Sequence, residues 1–204
     1  MEKITWRIWE SEGFNKALLI GGLVFYVPII NLVLLGYYGC WVKQLVRSQG
    51  IDLPEWRDGK AILEELIRVL APFLVWVFLP VLLAFLLFWA SSGLLNLLYL
   101  GLFARTVAYI PLAIVAVLCP VAFTTSLICL YKSNSLSTAL NLQIILPATM
   151  KSLREALFPL FVYYGITAIG WPLVGFASFA ATLPLLAQLV LILREKDHDF
   201  TSEA

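Results

Sequence analysis

Charged side chains are scarce in this chain. Asp, Glu, Lys and Arg make up 13% of the 204 residues and hydrophobic residues make up 61%, whereas a soluble domain is about a quarter charged and about half apolar. The mean hydropathy is +0.91. The formal net charge is only +1, which excludes the concentrated basic surface that nucleic-acid binding requires. We therefore expect lipid to be the main solvent, and no nucleic-acid partner.

Histidine and cysteine are also scarce. The single histidine, His198, lies in the polar stretch near the C-terminus, and Cys40, Cys119 and Cys129 form no CxxC pair. Acid–base and metal sites need converging carboxylates, usually with histidine, and zinc sites need clustered Cys or His. No GxSxG or HExxH motif occurs either. The sequence therefore predicts no catalytic residue, no metal and no cofactor, and a protein that is not an enzyme.

Five segments lack charge altogether: residues 17–42, 69–104, 106–131, 133–150 and 156–193. A helix that crosses the hydrocarbon core of a bilayer needs about 20 apolar residues, and about four of these segments are long enough. The sequence therefore predicts an all-α integral membrane protein with four to six membrane segments, folded as one domain over residues 1–204.

The first and last apolar segments carry helix-breaking residues near their middles. Pro28 and Asn31 interrupt the first, which predicts either a kink or a hairpin that dips into the membrane and returns. The motif "GWP" at 170–172 divides the last, which is too long for one crossing, so a closing hairpin is expected. With both hairpins, nearly all Lys and Arg lie on the cytoplasmic side; a conventional first span remains the alternative. The residues expected to make helix-packing or partner contacts are Gly21, Gly22, Pro28, Asn31, Gly36, Tyr37 and Gln188.

Three polar or amphipathic stretches are expected at the membrane surface. Residues 1–16 predict an interfacial helix, because Trp6 and Trp9 share helical spacing and tryptophan prefers the headgroup layer. Residues 51–68, which begin "IDLPEWRD", predict a surface clip and an amphipathic helix that turns into the bilayer near Pro72. Residues 194–204 predict a polar tail. The interface residues are Trp6, Trp9, Pro54, Glu55, Trp56 and Asp58.

The sequence of residues 51–68 also predicts where the helix begins and which side chains it exposes. Pro54 is expected at the first helical position, with Glu55 near the positive end of the helix, and Trp56 is expected to sink into the interface. Lys60, Glu64 and Arg68 then form an exposed, self-paired stripe. Further along, "SSG" at 91–93 predicts the end of a span. No ionisable side chain is expected to be buried.

Together these landmarks resemble an uncharacterised family of prokaryotic multi-pass membrane proteins, domain of unknown function 4013. The matching motifs are Gly21-Gly22, "PIINL" at 28–32, "GY" at 36–37, "LPEWRD" at 53–58, "ALNLQII" at 139–145 and Gln188. The family's usual Gly-Gln-x-Tyr stretch and histidine are replaced here by "LAQLVLILRE". The resemblance implies the fold and a prokaryotic cell-membrane location, and it implies no activity.

Two functions follow as hypotheses. The first is a non-enzymatic scaffold, assembly factor or adaptor, whose partners are the bilayer and other membrane proteins or further copies of this chain. The alternative is a transporter or channel for a small neutral solute. Proton coupling through side chains is not expected, since that generally uses ionisable residues inside the membrane.

Overall fold

The computed structural model describes residues 2–11, 13–27, 30–47, 53–97 and 106–202, and within those ranges it describes the side chains of residues 5–93 and 106–194. No strand occurs among these residues, and the all-α class is confirmed. The helices are α1 (Glu2–Trp9), α2 (Phe14–Phe25), α3 (Val33–Val46), α4 (Gly59–Phe73), α5 (Leu79–Leu97), α6 (Ile110–Ser133), α7 (Leu136–Ala139), α8 (Leu142–Ile169) and α9 (Val174–Ser202).

The sequence predicted one helix over residues 1–16, but the structure has two helices in this region. Helix α1 ends at Trp9 and α2 begins at Phe14. Between them Gly13 has a φ of 93°, which glycine adopts readily and other residues avoid. The predicted polar tail of residues 194–204 is helical in its described part, because α9 continues to Ser202.

The first apolar segment forms a helical hairpin. Helix α2 lies against α9 with Tyr26 near Gly175, whose backbone N–H donates to the Tyr26 hydroxyl at 3.0 Å. After a 3₁₀ turn at Ile30–Leu32, α3 runs back along α9 until Arg194 donates to the Leu45 carbonyl at 3.2 Å. Helices α2 and α3 therefore run in opposite directions. Pro28 lies outside the described residues.

Helix α4 continues into α5 without a break. A π-helical segment, Leu74–Phe78, joins them two residues after Pro72, and the combined helix continues to Leu97, with Gly59–Gly93 as its candidate membrane span. Proline removes a backbone donor, and a π segment accommodates such a defect within a helix. The amphipathic helix is therefore continuous with the apolar helix that follows it, and its location at the membrane surface stays a prediction.

The helix does not break at 91–93, because α5 continues to Leu97, although the candidate membrane span ends at Gly93. Ser91 stays helical because its hydroxyl donates to the carbonyl of Leu87 at 2.6 Å, a bond that lets serine remain inside a helix.

The last apolar segment forms a second hairpin. Helices α8 and α9 pack together around a 3₁₀ turn, Trp171–Leu173, and α6 packs against both. Two hydrogen bonds join the π segment and α6 to α7. The Trp76 indole N–H donates to the Ala139 carbonyl at 3.0 Å, and the Ser126 hydroxyl donates to the same oxygen at 2.6 Å. The core is therefore held by aromatic packing and a few buried hydrogen bonds.

Three helices of the described chain are long and apolar enough to cross a membrane: Gly59–Gly93, Thr106–Ser133 and Trp171–Arg194. Helix α2 is shorter and apolar. Length and composition therefore give a membrane protein with three candidate spans, and the four to six membrane segments expected from the sequence stay a prediction.

Candidate functional site

Residues 53–58, hereafter the clip, fold back onto the first hairpin. The Trp56 ring stacks on Tyr37 with centroids 4.4 Å apart and planes 11° from parallel, and Phe179 of α9 lies beside both rings. Tyr37 is completely buried, whereas Glu55 is exposed and Pro54 is half-buried. Trp56 therefore anchors the clip to protein, and its expected position in the membrane interface stays a prediction.

The start of α4 differs from the prediction. A turn closes where the Asp58 N–H donates to the Glu55 carbonyl at 3.3 Å, so Pro54 is not the first helical residue. The helix begins at Gly59, and the Asp58 carboxylate accepts the Ala61 N–H at 3.2 Å. This is the N-cap arrangement that aspartate favours.

Replacing Asp58 with alanine is expected to lower the free energy of unfolding by about 1 kcal/mol, because the first turn of α4 loses its cap. Asp58→Ser keeps an acceptor and should stay near wild type. Reversible unfolding in mixed micelles measures both variants, and equal losses in the two would contradict a capping role.

A buried ion pair lies between α3, α4 and α6. Glu65 is 3% exposed; its carboxylate pairs with the Lys43 ammonium and accepts the Tyr131 hydroxyl at 3.1 Å. Arg68 stands 3.8 Å from the same carboxylate, with its side chain half exposed. The charge of Glu65 is thus balanced by one close cation and one phenol, as burial of a carboxylate requires.

This pair makes the prediction of no buried ionisable side chain wrong. Lys60, Glu64 and Arg68 are exposed, but Glu65 is in helical phase with the buried residues Ile62 and Val69. The burial of Glu65 could therefore have been predicted from its helical phase. Its partners could not, because Lys43 and Tyr131 come from distant segments of the chain.

Three polar atoms, one on the clip and two on α3, are buried without a hydrogen-bond partner in the described chain: the Trp56 indole nitrogen, the Tyr37 hydroxyl and the Trp41 indole nitrogen. Tyr37 and Trp41 are one turn apart on α3, and Trp56 stacks on the former. Buried polar atoms are nearly always paired. Among the described residues, the buried side-chain polar atoms that lack a partner therefore all belong to the clip and to α3.

The predicted packing glycines lie at helix contacts. A methyl group at Gly21 would overlap the Phe179 ring, and one at Gly22 would overlap Phe176. At Gly36 it would overlap the backbone carbonyl of Ile62. The close approach of α2 to α9 and of α3 to α4 therefore depends on these positions, which leaves little of the glycine surface open to another protein.

The remaining predicted residues are scattered. Gln188 is buried and donates to the Thr5 hydroxyl at 2.9 Å, and Trp9 donates to the Ala180 carbonyl at 3.3 Å. Trp6 is 54% exposed, and Asn31 is exposed in the 3₁₀ turn. They do not converge with the clip on one site. No group of three or more metal-ligating side chains occurs among the residues described.

A cavity of about 250 Å³ lies between α3, α6, α8, α9 and the π segment. Its lining is mainly apolar, and three of its hydroxyl groups bond backbone carbonyls: Thr124 bonds Pro120, Tyr164 bonds Ala116 and Thr182 bonds Ser178. Such a cavity suits a small, neutral molecule better than an ion.

The fold defines this chain as a helical, membrane-like protein held together by two packed hairpins. It belongs to the family described as "Protein of unknown function (DUF4013)", whose model matches residues 19–183. No curated protein and no solved structure matches the chain.

Proposed function

We propose that this protein is a non-enzymatic scaffold in a prokaryotic cell membrane, which holds another membrane protein by lateral packing of α5. The observation that carries the proposal is the position of this helix. Ala84 is 2% exposed where α5 meets the bundle, whereas Trp89 is 74% exposed. Between residues 81 and 87 Ala84 is the sole buried position, so α5 presents most of its circumference outward.

The internal contacts support this role. The glycine faces are occupied by Phe176, Phe179 and Ile62, and Trp76 and Ser126 tie α7 to the core. The bundle is therefore held together internally, while α5 keeps an apolar surface that the described helices leave exposed. Association of membrane helices depends on van der Waals packing of such surfaces, and a partner helix could lie along either flank of α5.

Site-specific photo-crosslinking in intact membranes tests the proposal. Leu82, Phe85 and Trp89 lie on one flank of α5, and Leu83 and Leu87 lie on the opposite flank. A partner helix is expected to give one adduct of defined mass from a single flank. A probe at the buried Ala84 is the control and should crosslink only within the chain. Lipid adducts from both flanks, with no protein adduct, would contradict the scaffold role.

The cavity between α3, α6, α8 and α9 favours a second candidate, a transporter or channel for a small neutral solute. Paired hairpins with broken helices are a recurring feature of transporter sites, and here the two hairpin turns meet at Tyr26 and Gly175. A purified protein that forms only a homo-oligomer and is thermally stabilised by a specific solute would favour this candidate over the scaffold.

A further inference from the structure

A groove of about 540 Å³ lies between the clip and the start of α2. One wall consists of Gly13, Lys16 and Ala17, and the other consists of residues 53–57. The stacking of Trp56 on Tyr37 holds the second wall in place. We call this the clip groove, and its geometry does not depend on the scaffold role.

The charges of the groove are available to a ligand. Lys16 and Arg57 are both exposed, and neither makes a salt bridge within the described parts of the chain. Glu55 contributes one opposing charge, so the described residues of the lining carry a net charge of +1. Helix α2 also begins at this groove, with no side-chain cap at Gly13, and the positive end of a helix favours an anion.

An apolar track leads away from the groove. Leu19 and Leu23 follow Lys16 at helical spacings of three and seven residues, so all three lie on one face of α2. Leu19 is 58% exposed and Leu23 is 54% exposed. A ligand with an anionic head and a long apolar tail could contact both the basic groove and the leucine face of α2. A free anion would contact only the groove.

We propose that the clip groove binds the phosphodiester headgroup of an anionic phospholipid. Lys16 and Arg57 contact the phosphate from opposite walls, and Leu19 and Leu23 contact an acyl chain. A guanidinium and an ammonium are the side chains suited to this group. The groove thereby gives the clip a chemically specific contact with the membrane surface.

The test uses the full chain in mild detergent, titrated with phosphatidylglycerol, with phosphatidylcholine of the same acyl chains, and with inorganic phosphate. Native mass spectrometry and the thermal unfolding midpoint report binding. Phosphatidylglycerol should bind most tightly, and the double variant Lys16→Gln/Arg57→Gln should raise its Kd roughly thirtyfold, since each basic residue near an anionic lipid strengthens binding about fivefold.

Two further variants separate this site from general charge attraction. Lys60→Gln/Arg154→Gln removes the same charge from exposed positions elsewhere and should leave the Kd unchanged. Lys16→Arg/Arg57→Lys keeps both charges and should bind as the wild type does. An equal loss in the two Gln variants would overturn the proposal. So would equal binding of phosphatidylcholine, or equal stabilisation by inorganic phosphate, which would make the groove a site for a soluble anion.

Discussion

Replacing Gly36 with alanine is expected to separate α3 from α4 and to lower the free energy of unfolding by about 2–3 kcal/mol. The added methyl group would overlap the carbonyl oxygen of Ile62 and lie 3.0 Å from Cβ of Leu66. A backbone atom cannot move aside as a side chain can, so the helices must shift, and overpacking of this kind typically costs about 1–3 kcal/mol. Reversible unfolding in mixed micelles measures the effect.

Gly165→Ala is the matched control for this variant. Gly165 lies inside α8 with no atom within 4 Å of an added methyl group, and alanine is favoured over glycine in a helix by about 1 kcal/mol. This variant should be as stable as the wild type or more stable. If Gly36→Ala were equally tolerated, the close approach of α3 and α4 would not depend on glycine.

Replacing Lys43 with methionine is expected to cost about 3–5 kcal/mol, because it leaves the Glu65 carboxylate buried without its close cation. The side chain of Glu65 is 4% exposed, so water cannot substitute for the ammonium. Arg68 is farther away and half exposed, and such pairs contribute little. The thermal unfolding midpoint should fall accordingly.

A second substitution tests the physical cause of that loss. Lys43→Met/Glu65→Gln removes both charges, while the glutamine oxygen still accepts the Tyr131 hydroxyl, so most of the lost stability should return. Lys60→Met removes an exposed lysine and should have little effect. Additive losses in the double variant would contradict the interpretation that an unpaired buried charge is responsible.

The sequence was sufficient to predict the elements that depend on local pattern. Long charge-free runs predicted that the chain contains apolar helices long enough to cross a membrane, and the breaker residues at 170–172 predicted the closing hairpin. The exposure of Lys60, Glu64 and Arg68 followed from their spacing. These features depend on composition and periodicity within one segment, which a single sequence contains.

The predictions were wrong where a contact between distant segments overrode a preference of the local sequence. Pro54 satisfied the rule for a helix start, but Trp56 stacks on Tyr37 and Asp58 becomes the cap instead. Glu65 looked like part of a charged surface, yet Lys43 and Tyr131 make its burial possible. In both cases the decisive partner lies on another helix, and residue spacing alone does not report which helices become neighbours.

The contact between the two hairpin turns has a consequence for how the chain is made. Tyr26 and Gly175 are 149 positions apart, and a ribosome that adds about 5–20 residues per second needs roughly 8–30 s to cover that distance. During this interval α2 has been synthesised and its glycine face has no α9 to cover it. Packing of the N-terminal hairpin against α9 is therefore a late event in biogenesis, set by the emergence of the last helix from the ribosome.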